Sequence, residues 1–229
     1  MEQTLFINGK IILQDRILEQ GSLLAADGRI KEIRDSTGEK SSCRVVDLQG
    51  NYLAPGFVDI HVHGGGGGDF MDGERDSWDQ ALRTHLRHGT TSLCPTTLTA
   101  SPGEMERVFA LYRELEREES RCLPRLLGVH MEGPYIAESM KGAQNADFIK
   151  RPERELTEWL LEKGAGALRI LTMAPELEGA REAARAFREA GVLLSVGHSD
   201  ARLESVEQAA EDGYTMATHL YSSMTTIIR

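Results

Sequence analysis

The sequence predicts an α/β protein: a (β/α)8 TIM-type barrel, present as about six β/α units, preceded by a small N-terminal β-sandwich part. Three observations predict it. After Pro55-Gly56, strand-like apolar runs alternate with helical stretches six times in series, and strands joined through helices run parallel. The glycine run after the first strand does not open a helix as a G-x-G-x-x-G turn would, which favours a barrel over a doubly wound nucleotide-binding sheet. Histidines also collect at the predicted carboxyl ends of the strands, where a barrel builds its active site.

A chain of 229 residues, 40% hydrophobic and 27% charged, has room for one substantial core, so one large domain with a small appendage is expected. The pattern changes near residue 55: residues 1–54 form the incomplete β-sandwich part, and residues 55–229 the barrel, truncated after strand six. A net charge of −10, without a basic run, excludes nucleic acid and anionic membrane surfaces as partners. Cys43, Cys94 and Cys122 are odd in number and lack C-x-x-C spacing, which suits reduced thiols in a cytoplasm. Glu2 and Asp15 interrupt the N-terminal stretch, so no signal peptide is read, and no apolar run approaches the roughly 20 residues needed to span a bilayer. A cytoplasmic location is expected.

The first part reads as a small antiparallel β unit, with Asn8-Gly9 and Asp27-Gly28 as hairpin signals. Phe57, Val58, Ile60 and Val62 then have the character of a buried strand, stopped by Gly64 to Gly68, a flexible access loop. Ser77, with Gln80 three residues on, opens a helix to about His88; His85 and His88 at its polar end face solvent. Thr90–Pro95 is strand two. Ser101-Pro102-Gly103-Glu104 caps the next helix, whose run Arg113 to Arg121 is a solvated face. Strands follow at Leu126–His130, Leu168–Met173, Val192–Val196 and Tyr214–Thr218, with helices over Pro152–Lys163, Leu177–Ala190 and Arg202–Asp212.

Residues i and i+2 of a strand share a face, so His61 and His63 can reach one metal ion. Glu132 ends strand three, His198 follows strand five and His219 follows strand six. Each residue alone has a bland reading, as a turn cap, a loop histidine or a core histidine. Together at neighbouring strand ends, imidazoles and a carboxylate make a ligand set for zinc or another borderline divalent metal. His130 is read as a core or supporting residue.

PGFVDIHVHG, GVHMEGPYI, SVGHSDA and ATHLYSSM, in that order, resemble the amidohydrolase superfamily and, within it, the N-acetylglucosamine-6-phosphate deacetylases. The likeness runs from the β unit to strand six. It implies a metal-dependent barrel with a small β-sandwich built from both chain ends, one or two divalent ions, zinc foremost, and a homodimer. Glu132, His198 and His219 are then the ligands of the principal metal, and His61 and His63 those of a second, bridged by Glu132. Gln144 stands where other members have a substrate-contacting histidine. Ser222 and Ser223 stand where backbone donors meet the substrate phosphate, and Arg229 is a further phosphate candidate.

The implied reaction deacetylates N-acetylglucosamine-6-phosphate to glucosamine-6-phosphate and acetate, with an aspartate at the end of strand eight moving the proton. The sequence stops at Arg229, before any strand eight, so no catalytic residue is named; Asp59 and Asp200 do not match that position. This chain is therefore expected to be a fragment of a longer protein, or to need a partner for the remainder. Two alternatives are a cyclic amidase of the dihydropyrimidinase type, which a bridging lysine after strand four would favour and LRILTMAPE does not offer, and a metal-binding, non-catalytic fragment.

Overall fold

A computed structural model of the protein describes residues 3–36, 43–118 and 122–225. The chain divides into two compact units, Met1–Gly56 and Phe57–Arg229.

The first unit is one sheet built from β1 (Gln3–Ile12), β2 (Ile17–Ala26), β3 (Arg29–Arg34), β4 (Arg44–Asp47) and β5 (Tyr52–Leu53), in the order β3-β2-β1-β4 with β5 also on β1. It is mixed and not antiparallel throughout: β1–β2 and β2–β3 are antiparallel, whereas β4 and β5 run parallel to β1. Asp27 and Gly28 both have left-handed φ, 52° and 69°, as a tight hairpin turn requires. The Asn8-Gly9 signal misleads, because both residues lie inside β1 at a register shift, where Asn8 has φ 53°. A side chain at Gly9 would collide with Leu48, so packing is what requires glycine there. Ile11, Leu18 and Leu23 form a small core. Among the described residues there is no second sheet in this unit, and Ile12, Ile30 and Ile33 stay exposed.

The second unit holds β6 (Phe57–Val62), β7 (Gly64–Gly65), β8 (Gly68–Asp69), α1 (Arg75–Arg87), β9 (Thr90–Pro95), α2 (Pro102–Glu116), β10 (Arg125–Leu126), β11 (Val129–Glu132), α3 (Arg154–Gly164), β12 (Leu168–Met173), α4 (Ala180–Glu189), β13 (Leu193–Val196), α5 (Leu203–Asp212) and β14 (Tyr214–Ala217). The long strands are all parallel, paired as β6-β9-β10 and β11-β12-β13-β14, with a bridge between Thr96 and His130 joining the two sets. Helices cover the strands through Trp78, Leu82, Phe109, Tyr112, Leu160 and Phe187, which pack on Leu93, Val129, Leu171 and Leu194. The predicted third strand is two, β10 and β11; between them Gly128 takes φ 124° and lies where a side chain would strike Arg169.

β6 departs from the buried strand expected of it. Among the described residues it pairs only with β9, so Phe57, Val58 and Ile60 are 68%, 62% and 44% exposed. The glycines after it do not form a flexible loop. β7 and β8 pair antiparallel around Gly66 and Gly67, whose φ values of 63° and 96° suit glycine. The hairpin lies against α1, where side chains on Gly66 or Gly68 would strike Thr84 or Ser77.

His85 is accordingly not solvent-facing: its Nε2 lies 3.0 Å from the Gly64 carbonyl oxygen, whereas His88 is exposed. Helix α1 starts at Arg75, ahead of the Ser77 cap expected, and the capping box belongs to the preceding turn, Asp69 with Asp72. The Ser101–Glu104 box on α2 forms as read from the sequence. Arg113 is not merely solvated; its guanidinium donates to the Lys163 and Ala165 carbonyls at the end of α3.

Candidate metal centre

Parallel strands present their carboxyl ends on one side, and that places four imidazoles around one carboxylate. Glu132, last residue of β11, is 2% exposed. Its Oε1 lies 2.9 Å from His219 Nε2, 3.2 Å from His198 Nε2 and 3.6 Å from His61 Nε2, and its Oε2 lies 3.4 Å from His63 Nε2. His61 and His63 therefore converge on the glutamate, but on different oxygens. His61, Glu132 and His219 offer ligand atoms within 4.8 Å of one another.

The ring orientations decide what this cluster can hold. His198 Nδ1 is 2.8 Å from the Met140 carbonyl oxygen, and His219 Nδ1 is 2.9 Å from that of Ser222. A carbonyl only accepts, so both Nδ1 atoms carry the proton, and the lone pairs of both Nε2 atoms point inward. There they face a carboxylate oxygen and, at 3.2 Å, each other. Acceptors aimed at acceptors need a cation between them, a proton or a metal ion. The donor set, imidazole nitrogens with one carboxylate, fits zinc or a similar ion.

The electrostatics point the same way. Burial works against the Glu132 charge, but the surrounding imidazoles, His198 and His63 foremost, outweigh it and hold the carboxyl well below its usual range. Burial lowers the His61 pKa, while for His63 and His198 the adjacent Glu132 carboxylate overcomes burial and raises it. His198 and His219 both sit at left-handed backbone, φ 49° and 35°, a conformation costly for residues other than glycine and common at functional sites.

His130 is not among the converging rings. It is 2% exposed, with Nδ1 2.6 Å from the Ile60 carbonyl oxygen and Nε2 2.7 Å from Thr172 Oγ1. Burial pushes its pKa down to about 4, so it stays neutral. Thr172, Thr218 and Ser195 continue this buried hydroxyl chain beneath the centre at 2.7 Å spacings.

The model of the amidohydrolase family matches residues 52–229. This chain belongs to the amidohydrolase family. Over 217 residues it is 30% identical to the N-acetylglucosamine-6-phosphate deacetylase of Bacillus subtilis (strain 168), an alignment covering 93% of this chain and 55% of that protein. With the Bos taurus protein of the same name it shares 36% identity over 221 residues, covering 91% and 54%. A solved N-acetyl-D-glucosamine-6-phosphate deacetylase from Mycobacterium smegmatis, in complex with N-acetyl-D-glucosamine-6-phosphate, superposes with a TM-score of 0.87 at 29% identity, covering 100% of this chain and 58% of that one. The chain spans about half the length of the curated relatives it matches.

Within this amidohydrolase chain the residues expected to touch substrate make contacts of their own to the protein. Gln144 is 3% exposed with both ends of its amide engaged: Nε2 donates to Glu132 Oε2 at 2.7 Å and Oε1 accepts from the Thr99 N–H at 2.6 Å. It supports the glutamate. The Ser222 N–H donates to the His219 carbonyl oxygen, and the Ser223 carbonyl accepts from the Ser199 N–H, so both residues brace the turn that carries His219. Arg229 lies outside the described residues. Asp59 accepts from the His61 N–H through Oδ1, and the Asp200 N–H donates to Glu176. Sequence reasoning missed the Met140 and Ser222 carbonyls altogether, since every residue has one and only the fold selects which is used. No helix among the described residues is long and apolar enough to cross a membrane.

Proposed function

We propose that the protein is a metal-dependent amide hydrolase that, in its full-length form, converts N-acetylglucosamine-6-phosphate to glucosamine-6-phosphate and acetate. The observation carrying this reading is the inward convergence of four Nε2 atoms on the buried Glu132 carboxylate. The printed names of the relatives support the substrate, a phosphorylated amino sugar.

Glu132, His198 and His219 would hold the principal ion, with His61 and His63 holding a second that shares Glu132. When bound, a divalent ion supplies Lewis acidity toward an amide carbonyl and lowers the pKa of water toward neutrality. The chain's own residues prepare the place. Met140 and Ser222 fix the tautomers of His198 and His219, and His130 stays neutral beneath the site. Zinc-supplemented full-length protein should release acetate from N-acetylglucosamine-6-phosphate and not from the unphosphorylated sugar. Release from neither would overturn the reading, and release from both would remove the phosphate from the substrate assignment.

A further inference from the structure

We propose that Gln144 is a positioning residue that sets the rotation of the Glu132 carboxylate and thereby decides how the imidazole cluster shares its metal. The inference rests on the metal-centre reading above and goes beyond it to a residue that contacts no ion.

The argument begins with the amide. The Thr99 N–H can only donate, so the Gln144 oxygen must face it, and the NH2 group must face Glu132. The orientation is therefore determined by the backbone of another loop. At 3% exposure the side chain has no room to swing.

The carboxylate on the other side would otherwise turn freely, because the terminal torsion of a glutamate is broad and two-fold. Gln144 holds Oε2 at 2.7 Å, a shorter contact than any imidazole makes with that oxygen among the described residues. That hold directs Oε1 toward His198 and His219 and leaves Oε2 facing His63.

The segment bearing Gln144 grips the centre twice more. The Ala137 N–H donates to the His198 carbonyl oxygen at 2.9 Å, and the Met140 carbonyl accepts from His198 Nδ1 at 2.8 Å. One stretch of eight positions, 137 to 144, thus fixes the ring of one ligand and the carboxylate of another. Groups that orient metal ligands in this way are worth roughly 10- to 100-fold in affinity.

The test is zinc titration of the full protein against a chromophoric chelator, for the wild type, Gln144→Leu and Gln144→Asn, with the visible spectrum of each Co2+-loaded form. Leucine keeps the volume and loses both polar ends; asparagine keeps the amide but falls short of Glu132, and carries the comparison if the leucine variant does not fold. Both variants are expected to weaken the weaker zinc step by roughly 10- to 100-fold and to shift the Co2+ bands. A folded variant with unchanged affinity and spectrum would overturn this inference alone. A wild type that binds no zinc would overturn the metal centre and this inference with it.

Discussion

The two pairs of histidines around Glu132 are built differently. His198 and His219 each give Nδ1 to a backbone carbonyl, so their tautomers and ring planes are set before any ion arrives. The Nδ1 atoms of His61 and His63 are buried without a hydrogen-bond partner among the described residues, and β6, which carries His61 and leads into His63, pairs there only with β9 and has three of its four apolar residues exposed. One pair is pre-organised and the other is positioned mainly by where its strand lies. Ligands with a fixed second nitrogen bind more tightly, so the two pairs should differ in affinity even though all four present Nε2.

The largest effect should come from removing what the pairs share. Glu132→Gln keeps the volume and deletes the charge; zinc content should fall away and acetate release by the full-length protein should drop at least about 1,000-fold, roughly 4 kcal/mol. Near-normal activity in that variant would end the idea of a common centre.

Acid should strike next, through the residue that ties β6 inward. Burial in the folded chain lowers the His130 pKa from 6.5 to about 4, so below 6.5 the unfolded state binds more protons. Its share of stability is complete above pH 6.5 and is lost as pH falls toward 4, by about 3 kcal/mol. Urea unfolding of metal-free protein at pH 7 and pH 4.5 measures this, and His130→Asn should flatten the difference.

The comparison itself is sharpened by single alanine variants. His198→Ala should lower zinc affinity by about 100-fold and His61→Ala by about 10-fold, read by equilibrium dialysis. Equal losses would mean that anchoring of Nδ1 does not set the order. The smallest effect serves as a control outside both pairs: Ser101→Ala removes the cap of α2 and should cost about 1 kcal/mol in thermal unfolding, with zinc binding unchanged.

Much of this centre was legible in the chain. His61, His63, Glu132, His198 and His219 stand out because strand and helix periods are local, and each of these residues lies at or just past the end of a strand by simple counting. The Ser101–Glu104 cap was legible for the same reason, its two partners being three residues apart. Asn8-Gly9 was misread because the same dipeptide serves a turn or a bulge, and the choice depends on Leu48, far along the chain. Gln144 was read toward substrate because nothing nearby in sequence shows that Thr99, 45 residues earlier, takes its oxygen.

By itself, then, the sequence determined the α/β alternation, the kinds of ligand available and the strands that carry them, since these depend on side-chain chemistry and short-range periodicity. The tertiary structure alone decided which nitrogen of each ring faces inward and which carboxylate oxygen each ring meets. Those outcomes depend on partners such as the Met140 carbonyl, 58 residues from His198, and a hydrogen bond across that distance leaves no periodic trace in the chain.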